Sequence, residues 1–154
     1  MERSTEHILT THAGNLRWSN AEPVDLEVNA ERVRQDVGDV VRRQKAVGID
    51  VVSDGELGRP SSVEYFSKRL SGVLMRDLKP GETASTSGRT NDRLDFPNFY
   101  TEFYPPQGPG RKSVCAGPIA YIAQRAIQQE IEIFQAALEG TEVAEAFMCV
   151  QSPG

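Results

Sequence analysis

Cysteine and histidine are scarce in this chain, with two of each among 154 residues. Cys115 and Cys149 sit in the short apolar runs SVCAG and AFMCV, so they read as buried thiols rather than as a disulfide framework. Basic residues are also short, 17 against 22 acidic ones, for a net charge of −5. That balance argues against a nucleic-acid footprint, because phosphate binding wants a basic face. No apolar run approaches the ~18 residues that a spanning helix needs, so no membrane partner is expected. The opening MERSTEHILTTHAG has neither an apolar core nor a small-residue cleavage site, which predicts a cytoplasmic protein without a secretory signal. What is present is ordinary for one globular domain: 38% apolar and 25% charged residues.

The hydrophobic pattern alternates between strand and helix. Residues Glu6–Thr11, EHILTT, predict a first strand that ends at His12-Ala13-Gly14-Asn15. Residues 17–28 are polar and carry a proline, as a loop does. Asn29 can cap a helix in which Val33, Val37, Val40 and Val41 recur at helical spacing. Ala46 and Val47 continue that side, and Gly48 stands where a C-terminal glycine belongs. Ile49–Ser53 predicts a second strand. Pro60-Ser61-Ser62 is a turn, and Val63, Phe66 and Leu70 place a helix over residues 63–72.

From Val73 to Arg111 the pattern dissolves into loop compositions such as KPGETASTSGRTNDR and PPQGPG, an expected insertion or lid. Lys112–Ala116 predicts a third strand. Residues 119–140 predict a long helix with Ile122, Ala126, Ile127, Ile131, Phe134 and Leu138 on its buried side. VAEAFMCV, residues 143–150, predicts a fourth strand.

Strands that alternate with helices indicate parallel pairing and an α/β fold. A (β/α)8 TIM barrel needs roughly 250 residues. The 154 residues supply about four parallel strands with crossover helices, so the expected architecture is a partial barrel: residues 1–154 as its N-terminal half, with 73–111 inserted. Two copies closing together, or a small open sheet complete in itself, are the alternatives. Open sheet edges would favour a homo-oligomer.

In parallel α/β folds ligands sit beyond the C-terminal ends of the strands. Those ends here read THAGN, SDGELGR, CAGPIAY and VQSPG. The second is the densest in chemistry, with Asp54, Glu56 and Arg59 around Gly55. Taken alone it is equally a salt-bridged turn in which Asp54 or Glu56 fixes Arg59. His12 divides between lining a pocket and bonding within the fold, while His7, Tyr65 and Phe66 read as strand and packing residues.

The set THAGNL, VVRRQKAVGIDVVSDGELGRPSSVEYFSKRLSG, CAGPIAY and EAFMCVQSPG resembles the catalytic barrel of the cobalamin-independent methionine synthase family and its shorter relatives, over most of the chain outside the insertion. The resemblance implies a zinc-dependent methyltransferase that moves a methyl group from a folate-type or corrinoid donor to a thiol such as homocysteine, in methionine biosynthesis. Zinc would deprotonate that thiol, whose free pKa is near 8.5, and hold it for attack.

Carried over by position, Ala13, Gly14 and Asn15, with His12 before them, match the loop that meets the amino-acid substrate. Many members have serine where this chain has Asn15. Glu56 matches a glutamate that binds the substrate amino group, a charge-assisted pair. Arg59 positions that loop or binds an anion, and Asp54 serves Arg59.

Two departures bear on the activity. Gln151-Ser152-Pro153 stands where the family has Asp-Glu-Pro, which removes a partner for the substrate amine and opens the choice of thiol. The family's zinc ligands, a His-x-Cys pair, a glutamate and a later cysteine, belong to the other half of the barrel, and this chain has no His-x-Cys. His12, Glu56, Cys115 and Cys149 fall near strand ends, but a metal needs matched geometry as well as ligand types. The expectation is a methyltransferase piece that requires a C-terminal half. A non-catalytic half-barrel that dimerises is one alternative. A metal-free barrel lyase is the other, with Arg17, Arg59 and Arg111 as its only candidate carboxylate binders.

Overall fold

A computed structural model of the chain describes residues 3–16, 25–59, 62–82, 95–103 and 110–149. In chain order the elements are α1 Ala30–Ala46, β1 Val51–Ser53, α2 Ser62–Arg69, β2 Val73–Asp77, α3 Pro97–Phe103, β3 Arg111–Cys115, α4 Gln124–Leu138 and β4 Glu145–Phe147. They fall into two compact units, Met1–Tyr65 with Ala123–Gly154, and Phe66–Ile122.

The first unit grows from α1. The Asn29 side chain accepts the Arg32 backbone N–H at 3.0 Å, as the sequence predicts for a cap. Val33, Val37, Val40 and Val41 are all buried. Each such valine contributes roughly 1.5–3 kcal/mol by leaving water. The apolar side stops short of its predicted end, because Val47 is 78% exposed. Gly48 then turns the chain at φ +85°. The core joins Leu26, three α1 valines and Val52 to Ile133 and Phe134 of α4. Ile133 takes the central place expected of Ile131, while Ile122 lies outside the helix and is 59% exposed. β1 and β4 pair in parallel, Val51 with Glu145, Val52 with Ala146 and Ser53 with Phe147.

The end of β1 is held by a side chain. Gln44 is buried on α1, and its amide donates to the Ser53 carbonyl at 2.7 Å. Its carbonyl oxygen accepts the Ser53 N–H at 3.0 Å. One amide thus replaces a missing neighbour strand at the residue where the polar loop begins.

The predicted strand Glu6–Thr11 is not a strand. Thr11 makes a single parallel bridge to Val51. Polar side chains capture the N–H groups that a ladder would use: Leu9 N–H donates to the Ser4 hydroxyl, and Thr10 N–H to Asp50. His7 also has a partner, since its Nε2 lies 3.1 Å from Asp50 Oδ1.

The second unit corrects the expected pairing. β2 and β3 are antiparallel, with Val73 opposite Cys115 and Asp77 opposite Arg111. The stretch after Gly72 therefore starts as a strand rather than as irregular chain, and the third predicted strand joins β2 instead of a parallel barrel sheet. Its close approach runs back past the strands, where the Ser71 N–H donates to Ala120 O and Ala116 N–H to Gly72 O. Gly72 stands at φ +71°, and a Cβ there would overlap the carbonyl oxygens of Gly117 and Pro118, so only glycine fits. Glu82 gathers this unit's charges, accepting two hydrogen bonds from Arg76 at 2.6 and 2.7 Å and one from the Lys79 N–H.

Among the described residues the architecture is mixed α/β, with two short two-stranded sheets and no closed barrel. Both thiols are free, but where burial is expected of both, Cys115 is exposed and Cys149 half-buried. No described helix is long and apolar enough to cross a membrane. The predicted turn at Pro60-Ser61, the residue Arg17 and the terminal Gln151-Ser152-Pro153 lie outside the described residues.

Candidate functional site

Beyond Ser53 the backbone is left-handed at two successive residues, and again at Gly58. Gly55 has φ +66° and Glu56 has φ +55°. For glycine this costs nothing steric, but for glutamate it costs roughly 1–2 kcal/mol. Strain of this kind persists where surrounding contacts over-determine it, and it gathers at functional sites. The contacts are visible here. The Glu56 N–H donates to Asp54 Oδ1 at 3.1 Å. The Gly55 N–H donates to the Ser53 hydroxyl at 3.3 Å. A Cβ on Gly55 would press on Leu16 Cβ at 3.1 Å and the Val40 methyls at 3.3 Å.

That turn meets the first polar loop. The Leu16 N–H donates to the Gly55 carbonyl at 3.0 Å, so residues 12–16 and 54–59 run together. Ala13 and Asn15 are exposed, and Gly14, at φ +104°, has nothing within 4 Å of where a Cβ would stand. His12 is half-buried, and its Nε2 is a buried atom without a hydrogen-bond partner among the described residues. The Glu56 side chain is half-buried, and no described residue gives its carboxylate a hydrogen bond or an ion pair. The two loops thus meet at the Leu16–Gly55 bond, and His12 and Glu56 hold polar atoms that the described fold leaves unused.

Asp54 and Arg59 take the other part. They form an ion pair with both side chains less than a tenth exposed. Burial pushes the Asp54 carboxyl above its ordinary value, and the Arg59 guanidinium pulls it back. Arg59 also donates from Nη1 to the Cys149 carbonyl at 3.1 Å and lies 3.9 Å from Glu130 Oε2. The Tyr65 hydroxyl donates to that same Glu130 oxygen at 3.0 Å. Sequence reasoning missed Glu130, a charge on the apolar side of α4, and gave Tyr65 to packing. The signal available was a buried-face acid at helical spacing from Ala126, Ile127, Ile133 and Phe134.

Donors for a metal do not converge. Among the described residues no three of His, Cys, Asp and Glu are placed to hold an ion. His7 is engaged by Asp50.

The sequence of both loops and of the helix between them is shared with known proteins. The family described as "Cobalamin-independent synthase, Catalytic domain" matches residues 10–90. A 5-methyltetrahydropteroyltriglutamate–homocysteine methyltransferase of Streptomyces avermitilis is 36% identical over 66 residues, 43% of this chain and 8% of that protein. One from Ralstonia pickettii is 48% identical over 42 residues, 27% of this chain and 5% of its own length. A methionine synthase of Sulfolobus acidocaldarius is 42% identical over 57 residues, 37% of this chain and 17% of its length. The matched segments therefore span less than a fifth of each of these relatives. A family pattern that runs from Thr10 through α1, the left-handed turn and α2 covers more than half of the 154 residues, and by it the chain belongs to the cobalamin-independent synthase catalytic-domain family.

Proposed function

We propose that this chain is the acceptor-binding, N-terminal half of a TIM-barrel methyltransferase, one that moves a methyl group from a folate-type or corrinoid donor to a thiol such as homocysteine in the cytoplasm. Glu56 holds the ammonium group of the acceptor. His12, Ala13, Gly14 and Asn15 line the same pocket, and Asp54 with Arg59 braces it. The observation that carries this reading is the Glu56 carboxylate, set on a strained turn and left without a partner among the described residues. Strain and an unpaired charge are both costs to folding, and a cationic ligand offsets the second. The names of the relatives support methyl transfer to homocysteine as the reaction.

A zinc ion bound in such an enzyme would favour loss of the acceptor thiol's proton. The donors described here do not fit it, so this chain's share of the work is to bind and orient the acceptor. Arg59 is engaged by Asp54 and by the Cys149 carbonyl, which speaks against the lyase alternative, where it would have to receive a substrate carboxylate.

Titration calorimetry with L-homocysteine tests the reading. Glu56→Gln keeps the shape and removes the charge. A charge-assisted hydrogen bond is worth about 1.5–3 kcal/mol, so affinity should fall at least about tenfold. Equal affinity in the two proteins would remove Glu56 from the site.

A further inference from the structure

Glu56 is held in its left-handed conformation from below, through contacts that reach as far as α4. We propose that Tyr65 and Glu130 are positioning residues for Glu56: together they seat the Arg59 guanidinium, Arg59 seats Asp54, and Asp54 fixes the Glu56 backbone. The proposal rests on the reading of Glu56 as the acceptor-facing carboxylate.

The geometry supplies each link. Tyr65 donates its hydroxyl proton to Glu130 Oε2 at 3.0 Å. That hydrogen bond fixes the orientation of the carboxylate toward Arg59, 3.9 Å away. The Arg59 fork is planar, so its two terminal nitrogens are aimed together. Nη1 meets the Cys149 carbonyl at 3.1 Å, and Nη2 meets Asp54 Oδ2. With Oδ2 so occupied, Oδ1 of Asp54 is left to accept the Glu56 N–H. Removing any upstream member frees Asp54 to rotate, and the N–H of a strained residue loses the acceptor that Asp54 supplies.

The cluster also has a reason to be more than a stability device. Asp54, Arg59 and Glu130 are each less than a tenth exposed at the side chain, and together they bring two carboxylates to one guanidinium. A buried ion-pair cluster is a poor way to stabilise a fold, because apolar side chains of similar volume do as well or better. Its return lies in fixing one loop geometry.

Amide hydrogen exchange followed by NMR tests this on the intact chain, with Tyr65→Phe, Glu130→Gln and, as a control, Glu132→Gln on the exposed side of α4. The Glu56 amide should exchange at least about tenfold faster in the first two proteins, while the core amides of Val41 and Val52 keep their rates and the control changes nothing. An unchanged Glu56 rate overturns the proposal. So does a Glu56 rate that rises only in step with Val41 and Val52, which would mark general loosening. L-Homocysteine titration of Glu56→Gln alongside these proteins separates the two readings. A loosened Glu56 amide together with wild-type binding by Glu56→Gln leaves the bracing in place and removes only the ammonium role.

Discussion

Replacing Gln44 with leucine keeps the volume of a buried side chain and deletes both of its polar atoms. In the folded chain those atoms satisfy the Ser53 N–H at 3.0 Å and the Ser53 carbonyl at 2.7 Å. Ser53 is 1% exposed, so water cannot take over either bond. Each buried backbone group left unpaired costs about 1–3 kcal/mol. The leucine recovers part of this through its apolar surface, at roughly 25 cal/mol per Å². The expected net loss is about 2–4 kcal/mol. With a urea slope of about 2 kcal/mol/M, the unfolding midpoint should drop by about 1–2 M. Gln44→Glu should do worse, because a carboxylate cannot donate to the Ser53 carbonyl and would itself be buried. The decisive measurement is urea unfolding followed by far-UV circular dichroism. A Gln44→Leu midpoint within about 0.3 M of the parent, at unchanged slope, would show that β1 does not depend on the amide, and the account of how the polar loop is launched would fail.

Glu56→Gly should separate stability from binding. It relieves a left-handed cost of roughly 1–2 kcal/mol, partly offset by the greater freedom of glycine in the unfolded chain. The expected gain of about 1 kcal/mol raises Tm by about 2–4 °C for a chain of this size, while L-homocysteine binding is lost. A lower Tm would refute the strain argument. Asp50 predicts an acid limb. Hydrogen bonds from Thr10 and His7 lower its pKa from 3.8 to about 2. Its contribution is therefore full above pH 3.8 and disappears as pH falls through about 2. Asp50→Asn should flatten that part of the stability profile, measured by thermal unfolding across the range, and an unaltered profile would exclude Asp50 as its source.

How much of this was legible depends on the distance over which the information acts. α1 could be read because its cap, its valines and its closing glycine all lie within one helix. β1 and the Thr11 segment share a direction, and the Leu16–Gly55 bond joins the two polar loops at one point. The pairing of β2 with β3 joins residues 73–77 to 111–115, and nothing local marks it. Half-buried Val73 and Met75 alternate with exposed Leu74, but a pattern this short, followed by a proline-rich stretch, reads as loop. The Glu6–Thr11 run has strand composition, yet Asp50 and Ser4 intercept its donors. Glu130 stayed hidden because a lone acid on an apolar helix face looks like a boundary until its partner from 71 positions earlier in the chain, Arg59, is in view.

The bond from Arg59 to the Cys149 carbonyl joins residues 90 positions apart. Closing so long a loop is slow relative to forming α1, so the order of events in folding is constrained. A nascent chain can build its first helix and the turn after β1 well before Cys149 has emerged, but the guanidinium must then wait with one of its seats vacant. The polar turn should consequently be among the last parts to rigidify. Truncations just short of Cys149 should leave a largely formed helix beside a turn that has not yet set.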